Sequence, residues 1–248
     1  MGSIKVYFDN AATTPMRNEV IELMTQSMTT TFGNPSSTHG FGRSAKTIIE
    51  TARKSIAKHL NCEPREITFT SGGTESDNMI LRCAVKDLNV KTIVSSVLEH
   101  HAVLHPLDEL QKEGINIRYV DLDEDGSPKL DQLKSILEAD DTPKLVSLMH
   151  INNEIGNVLD LDRVGALCKA KGAYFHTDAV QSVGHFKFDL KSQPIDFLSS
   201  AAHKFHGPKG VGFTFIRKNT IINPFIVGGP QERGQRAGTE SVHNIIGL

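Results

Sequence analysis

Two segments of the chain end on groups that can do chemistry. His176-Thr-Asp-Ala-Val-Gln181 closes one aromatic and β-branched run with a carboxylate, Asp178, and Ser199-Ser-Ala-Ala-His-Lys204 closes the next with an amine, Lys204. At adjacent strand ends such a pair makes a rim salt bridge, or it serves a ligand that needs both an acid and an amine. Ser71-Gly-Gly-Thr-Glu-Ser-Asp-Asn78 joins a strand, Ile67 to Thr70, to a helix through Met79, Ile80 and Cys83. Free N–H groups on its glycines, Gly73 among them, beside the Thr74 hydroxyl make an anion site, although glycine turns with a Ser or Thr cap are also ordinary helix starts. Glu75 and Asp77 suit the first helical turn and must point away from any phosphate bound there. His100 follows a further strand, at the edge where open α/β sheets bind ligands. His101 and His105 stand at i, i+4, a metal-compatible spacing, but HExxH is absent and no third ligand is recognisable, so no metal site is assigned.

The elements that must position these groups alternate along the chain. Strands are expected near Ile67 to Thr70, Lys91 to Ser96, Asn116 to Asp121, Lys144 to His150, Tyr174 to Asp178, Asp196 to Ala201 and Val211 to Ile216, with helices between. This is the pattern of an α/β protein whose mostly parallel sheet is covered by helices on both faces. From Arg43 to Leu60, Ala45, Ile48, Ile49, Ala52, Ile56 and Leu60 recur at helical spacing, and Lys46, Arg53, Lys54 and Lys58 take the wet side. Gly172 closes another helix. Gly33 to Gly42 reads as a long functional loop. Gly40-Phe-Gly-Arg-Ser-Ala45 matches GxGxxA but follows no strand, and Gly207-Pro-Lys-Gly-Val-Gly212 lacks the P-loop order, so it reads as a tight turn before a hairpin strand. What remains is an anion-binding turn, a flat ring donor, an acid and an amine, all expected on C-terminal edges of one sheet. Pyridoxal phosphate asks for those parts: a phosphate cup, an aromatic stacker, an acid for the ring nitrogen and an amine for the aldehyde.

Composition narrows the alternatives. With 248 residues, 38% hydrophobic and 23% charged, the chain can bury a real core. Its 27 Lys and Arg against 29 Asp and Glu give a net charge of -2, no basic excess to suit a nucleic acid as main partner. Cys62, Cys83 and Cys168 are too few and too scattered for a disulfide framework, which fits a reducing compartment. No apolar run reaches a membrane span and the start lacks signal or transit character, so a soluble, cytoplasmic protein is expected. The Met-Gly-Ser opening has Val6 where a myristoylation signal needs Ser or Thr, and it reads as a remnant of expression.

With these residues in place, the sequence resembles the cysteine desulfurases of the class V aminotransferase group, fold type I pyridoxal phosphate enzymes. The matching pieces run through the whole chain: Phe8-Asp-Asn-Ala-Ala-Thr-Thr-Pro15, Gly33-Asn-Pro-Ser-Ser-Thr-His39, Phe69 to Asn78, Glu99-His100 with Ala102-Val103, and Met149-His-Ile-Asn-Asn-Glu-Ile-Gly156. His176 to Gln181, His203-Lys-Phe-His-Gly-Pro-Lys-Gly210 and Gln231 to Glu240 continue the series. The resemblance implies removal of sulfur from L-cysteine, giving alanine and an enzyme persulfide for iron-sulfur cluster or sulfur-cofactor assembly. It implies that Lys204 attaches the cofactor, Asp178 pairs with the ring nitrogen, Gln181 meets the ring hydroxyl, and His100 stacks on the ring and moves protons. Gly73, Thr74 and His203 then form the phosphate cup, Asn153 stands near the ring hydroxyl and substrate carboxylate, and Thr239 reaches the phosphate of a second subunit in a homodimer. Gly228, Gly229, Gly234 and Gly238 would make the stretch before Thr239 extended and flexible, with Arg233 and Arg236 adding positive charge near an anion. A sulfur-acceptor or scaffold protein is the further partner, and no membrane is involved.

The resemblance also implies a division into an arm, 1–15, belonging to a small domain in relatives, and a cofactor-binding large domain, 16–248. The rest of the small domain is expected to be absent, and with it the nucleophilic cysteine and the substrate-carboxylate arginine, so these residues alone are expected to be inactive in desulfuration. Ala201 stands where most relatives have a serine whose hydroxyl meets the phosphate. The alternatives are a selenocysteine lyase or another enzyme of the same group, and a non-catalytic cofactor-binding remnant. A metal-dependent hydrolase using His101 and His105 is the more distant one.

Overall fold

A computed structural model describes residues 4–248; the Met-Gly-Ser opening, read above as a remnant of expression, lies outside the described residues. Short apolar and hydroxyl-rich runs form the strands β1 (Ile67–Thr70), β2 (Thr92–Ser95), β3 (Asn116–Tyr119), β4 (Lys144–Ser147), β5 (Tyr174–Asp178), β6 (Phe197–Ala201) and β7 (Gly212–Ile216). β1, β2, β4, β6 and β7 are buried along their whole length, as strands covered on both faces must be. They build one seven-stranded sheet in the order β1-β7-β6-β5-β4-β2-β3.

The sheet is parallel from β6 to β3, but β7 runs antiparallel to both β6 and β1. The link Ala202 to Val211 explains the reversal: it is too short to carry a crossover helix back to the start of β6, so the chain can only turn and pair in the opposite sense. This is the hairpin strand expected after the Gly207 to Gly212 turn.

Helices α1 (Asn18–Thr30), α2 (Gly40–His59), α3 (Gly73–Asp87), α4 (His101–Lys112), α5 (Leu130–Glu138), α6 (Leu161–Ala170) and α7 (Val242–Gly247) cover the sheet. Met79 and Ile80 of α3 and Val103 and Leu107 of α4 pack with Ile93, Leu145 and Phe197 on one side. Ile49 of α2, Leu133 of α5, Val164 of α6 and Ile245 of α7 pack with Val146, Phe175 and Phe213 on the other. Each of these side chains is almost wholly withdrawn from water, which at roughly 25 cal/mol per Å² of apolar area makes the two layers the main source of stability.

The long loop ends earlier than its composition suggests. α2 begins at Gly40, because the His39 ring accepts the Gly42 N–H and caps the helix, so Gly40 to Gly42 belong to α2 and not to the loop. Gly172 does terminate α6, at φ 63°. Ahead of α1, residues 4–15 run across the sheet edge, where the Thr14 N–H and hydroxyl both donate to the His203 carbonyl at 2.9 Å.

Candidate active site

The C-terminal ends of β1, β2, β4, β5 and β6 converge on one cavity of about 390 Å³. β1 leads through Ser71 and Gly72 directly into α3, whose first turn has no side-chain cap. A Cβ on Gly73 would lie 2.6 Å from Val180 Cγ2; only glycine lets this backbone approach the loop after β5. Glu75 turns away from the cavity, accepting the Ser71 N–H at 2.8 Å and a two-pronged bond from Arg236 at 2.8 and 3.0 Å. The anionic crowding that its position threatened is thereby removed.

Asp178 ends β5 and is 5% exposed, with one oxygen accepting the Val180 N–H at 2.9 Å. Burial, reinforced by the nearby Asp77, pushes its carboxyl up to about 7. Lys204 stands on the one-turn helix after β6, half-buried, and its Nζ donates to the Ala11 carbonyl and, at 3.0 Å, to that of Ala12. Burial pulls its ammonium below the ordinary lysine range against the opposing pull of Asp178 and Asp9, which enlarges the fraction present as nucleophilic amine. No ion pair joins Lys204 to Asp178 among the described residues.

His100 caps α4: its Nδ1 accepts the Ala102 N–H at 3.0 Å. The neutral ring therefore carries its proton on Nε2. His203 Nδ1 meets the Thr13 hydroxyl at 3.2 Å, and burial, then Lys204 and Lys209, lower its affinity for a second proton. Gln181 Nε2 donates to the Ala11 carbonyl at 2.9 Å, and Asn153 Nδ2 to Glu154 at 2.6 Å.

Of the nine candidates, Gly73, Thr74, His100, Asn153, Asp178, Gln181, His203 and Lys204 all line this cavity. Thr239 does not; it is exposed on the stretch that follows the turn at Gln231–Gly234. That stretch differs from the loose basic segment expected of it. Arg236 is occupied by Glu75, and the Arg233 guanidinium donates to the carbonyls of Arg65 and Ile67 at 3.2 and 2.6 Å. Both cations are spent on holding the turn.

Two contributors escaped the sequence reading. Asp9, Ala11 and Ala12 of the arm form part of the cavity wall; Phe8 to Pro15 was legible as a motif and as an arm of the small domain, with no place in the site. Asp77 is 1% exposed and also lines the cavity. In sequence it was only an acid in a first helical turn. A larger cavity of about 500 Å³, bordered by Glu99, Asp123, Lys129 and Arg163, holds none of the nine candidates. His101 and His105 stack at 5.0 Å on the exposed side of α4, and no group of three potential ligands forms a metal site among the described residues. No helix described is long and apolar enough to cross a membrane. None of the three cysteines borders the cavity, and burial pushes Cys62 and Cys83 up to about 12 and Cys168 higher still.

The profile of the family described as Aminotransferase class-V matches residues 6–248. The chain belongs to the class V aminotransferase family. It is 49% identical over 246 residues to the cysteine desulfurase IscS of Dictyoglomus turgidum and 47% identical to that of Methanosarcina thermophila, covering 98% of this chain in both cases. The chain spans 62% and 60% of those two relatives' lengths. A solved NifS-like protein superposes with a TM-score of 0.94 at 42% identity, over 98% of this chain and 67% of the other. The structure described as SspA in complex with cysteine superposes with a TM-score of 0.92 at 35% identity, over 98% of this chain and 71% of that one. The mostly parallel sheet with helices on both faces is thus the large-domain fold of fold type I pyridoxal phosphate enzymes.

Proposed function

We propose that residues 16–248 form the pyridoxal phosphate-binding domain of a cysteine desulfurase, with 1–15 as an arm of which Asp9, Ala11 and Ala12 wall one side of the site. The observation that carries this reading is the meeting of Lys204, Asp178, His100 and the Gly73 turn on one cavity wall. The donor set fits the cofactor in charge as well as in kind. Asp178 is a buried acid with a hydrogen-bonded oxygen, suited to a cationic ring nitrogen; Lys204 is an amine whose ammonium form is disfavoured; and the space beside Gly73 is kept free of a Cβ.

When bound, pyridoxal phosphate supplies an electron sink for the pair released at the substrate α-carbon. The protein's own groups do the rest. Lys204 would attach the aldehyde through its amine and, when that amine is free, could move the α-proton. Asp178, ionised against the ring N–H, keeps that nitrogen protonated. His100 would stack on the ring and could pass a proton toward the departing sulfur or the product carbon. Gly73, Thr74 and His203 would donate to the phosphate and Gln181 to the ring hydroxyl, and Asn153 would serve the ring hydroxyl and the substrate carboxylate. Thr239 is assigned to the phosphate of a partner subunit in a homodimer.

The sulfur leaves L-cysteine as a persulfide on a nucleophilic cysteine, with alanine as the other product and an acceptor protein as the next carrier. Cys62, Cys83 and Cys168 are not that nucleophile: all three lie off the cavity with thiols that resist ionisation. In the full chain, Lys204→Ala should fold as the parent does and lose the visible chromophore that borohydride fixes covalently. A borohydride-fixed adduct of unchanged yield in the variant overturns the assignment.

A further inference from the structure

The cavity floor holds an acid that the proposed chemistry does not use. Asp77 projects from the first turn of α3, 1% exposed, and its Oδ1 has no hydrogen-bond partner. Its nearest basic group is His176 of β5, with Nε2 3.5 Å from Oδ1. That contact is not an ion pair. The His176 ring is fully buried, with Nδ1 2.9 Å from the Ser147 hydroxyl and Nε2 3.1 Å from the Ser199 hydroxyl, and burial holds it down to about 4. A neutral ring offers Asp77 no compensating charge, and the Ser199 hydroxyl, which favours the anion, is outweighed by burial.

The other titratable groups that face this spot are Asp178, Glu99, His100 and Lys204. Asp178 shares β5 with His176 two residues on, and therefore projects from the same face of the strand. Glu99 faces the pair from the loop ahead of α4, with Oε1 on the Met149 N–H and Oε2 without a partner; burial, with Asp178 and Asp77 adding to it, holds its carboxyl well above the ordinary range. His100 at the α4 N-terminus and Lys204 after β6 complete the set, and both border the open side of the cavity. Asp77 and Asp178 are thus two dry carboxyls on one cavity with no cation committed to either. Like charges so placed cannot both ionise freely.

Building on the cofactor-site reading above, we infer that Asp77 is a positioning residue that forms with Asp178 a buried acid pair sharing one proton. In the empty pocket the proton is distributed over both carboxyls; a cationic ring nitrogen arriving at Asp178 settles the proton on Asp77. Atoms balance: one proton moves from one carboxyl to the other, and no group is oxidised or reduced. Asp77 then keeps a carboxylic acid beside His176, where a charge would be costly, and leaves the single negative charge on Asp178, where the ring N–H compensates it. The arrangement links cofactor capture to a proton already inside the protein.

The test is reciprocal and needs no turnover. In the full chain without cofactor, carboxyl ¹³C shifts of Asp77 and Asp178 are followed against pH in the parent, Asp77→Asn and Asp178→Asn. Sharing requires that removing either carboxyl lower the midpoint of the other by about one pH unit, by the same amount in both directions, because coupling free energies are reciprocal. Asp77→Glu, which keeps the acid, should restore the raised Asp178 midpoint. If Asp77→Asn does not fold, the Asp178→Asn arm alone decides through the Asp77 signal. Midpoints that stay put when the other carboxyl is removed would show two acids raised only by burial and overturn the pair. A failed Lys204 adduct would instead strike the cofactor reading and leave these midpoints untouched.

Discussion

Two buried clusters in this protein treat charge in opposite ways. Arg53 of α2, 0% exposed, grips Glu232 with two bonds of 2.7 and 2.8 Å, donates to the Ile67 carbonyl, and lies over the Phe69 ring at 4.6 Å. Glu232 in turn accepts the Phe69 N–H at 2.9 Å. Burial draws the guanidinium down, and Glu232 more than restores it. At the cavity, by contrast, Asp77 and Asp178 are as deeply buried and have no cation of their own. A completed pair is a fastener. An incomplete one is a site with a missing charge, and on the proposed cofactor reading the ring nitrogen would supply it.

The strongest way to break this contrast is at the fastener. Arg53→Met should lower stability by about 3–5 kcal/mol in denaturant unfolding, because Glu232 would be left as a buried charge without a partner. Glu232 also sits at φ 45° next to Arg233 at φ 57°, two consecutive non-glycine residues in left-handed backbone, so losing the clamp should release the turn as well. The double variant Arg53→Met with Glu232→Met should recover most of the loss. If the single change is as mild as the double, the pair is not what holds the turn.

The cavity should answer with the opposite sign. Asp77 is raised by burial from the ordinary carboxyl range to about 7, so the folded protein binds its proton more tightly than the unfolded chain does. That contribution is fully present below about 4 and is lost as pH rises through about 7. Asp77→Asn has nothing to titrate there. Its stability relative to the parent, without cofactor, should therefore climb across that window by on the order of 2–4 kcal/mol and then level off. The lowered His176 and His150 act in the reverse sense below 6.5 but are common to both proteins, so they largely drop out of the difference. A pH-independent difference would remove Asp77 from the frustrated cluster.

Between the extremes lies Arg236 with Glu75, paired as Arg53 is but only partly shielded, at 20% and 10% exposure. Arg236→Lys keeps the charge and loses the two-pronged geometry, so about 1–2 kcal/mol should go, with faster amide exchange around Gly234 to Gly238. A change no larger than at an exposed ion pair would show that the second bond is unimportant.

How far the sequence disclosed all this follows the range of the interactions. The strands were legible because Ile67 to Thr70, Tyr174 to Asp178 and their neighbours are local β-branched and aromatic runs, and the residues on the cavity wall stood out because each follows such a run. The reversal of β7 against β6 was legible in the short glycine-rich link, but its pairing with β1 was not, since nothing local joins those two runs. Arg53 read as a solvated face residue in a helical pattern, yet its partner lies 179 positions away, beyond any periodicity. Asp77 was hidden for the converse reason: acids in a first helical turn are common on surfaces, and only the packing of α3 against β5 and β6 shows that this one is dry.

The smallest expected effect tests whether the cavity wants further polar groups or only charge. Ala201 ends β6, 2% exposed, and lines the cavity with its Cβ 3.9 Å from where a Cβ on Gly73 would stand. A serine there adds one hydroxyl beside the first turn of α3. Without a ligand that hydroxyl loses water and gains no assigned partner, so Ala201→Ser should be neutral to slightly destabilising in the cofactor-free protein. With a phosphate seated against Gly73, Thr74 and His203 it becomes a donor to a charged acceptor, and cofactor affinity should rise by about 1 kcal/mol, within a range of 0.5–3, or roughly five-fold. Because the two effects differ in sign, the thermal shift on adding pyridoxal phosphate should be larger in Ala201→Ser than in the parent even where the cofactor-free protein melts lower. Weaker binding in the serine variant would mean that position 201 packs against apolar neighbours and that the phosphate lies elsewhere on the wall.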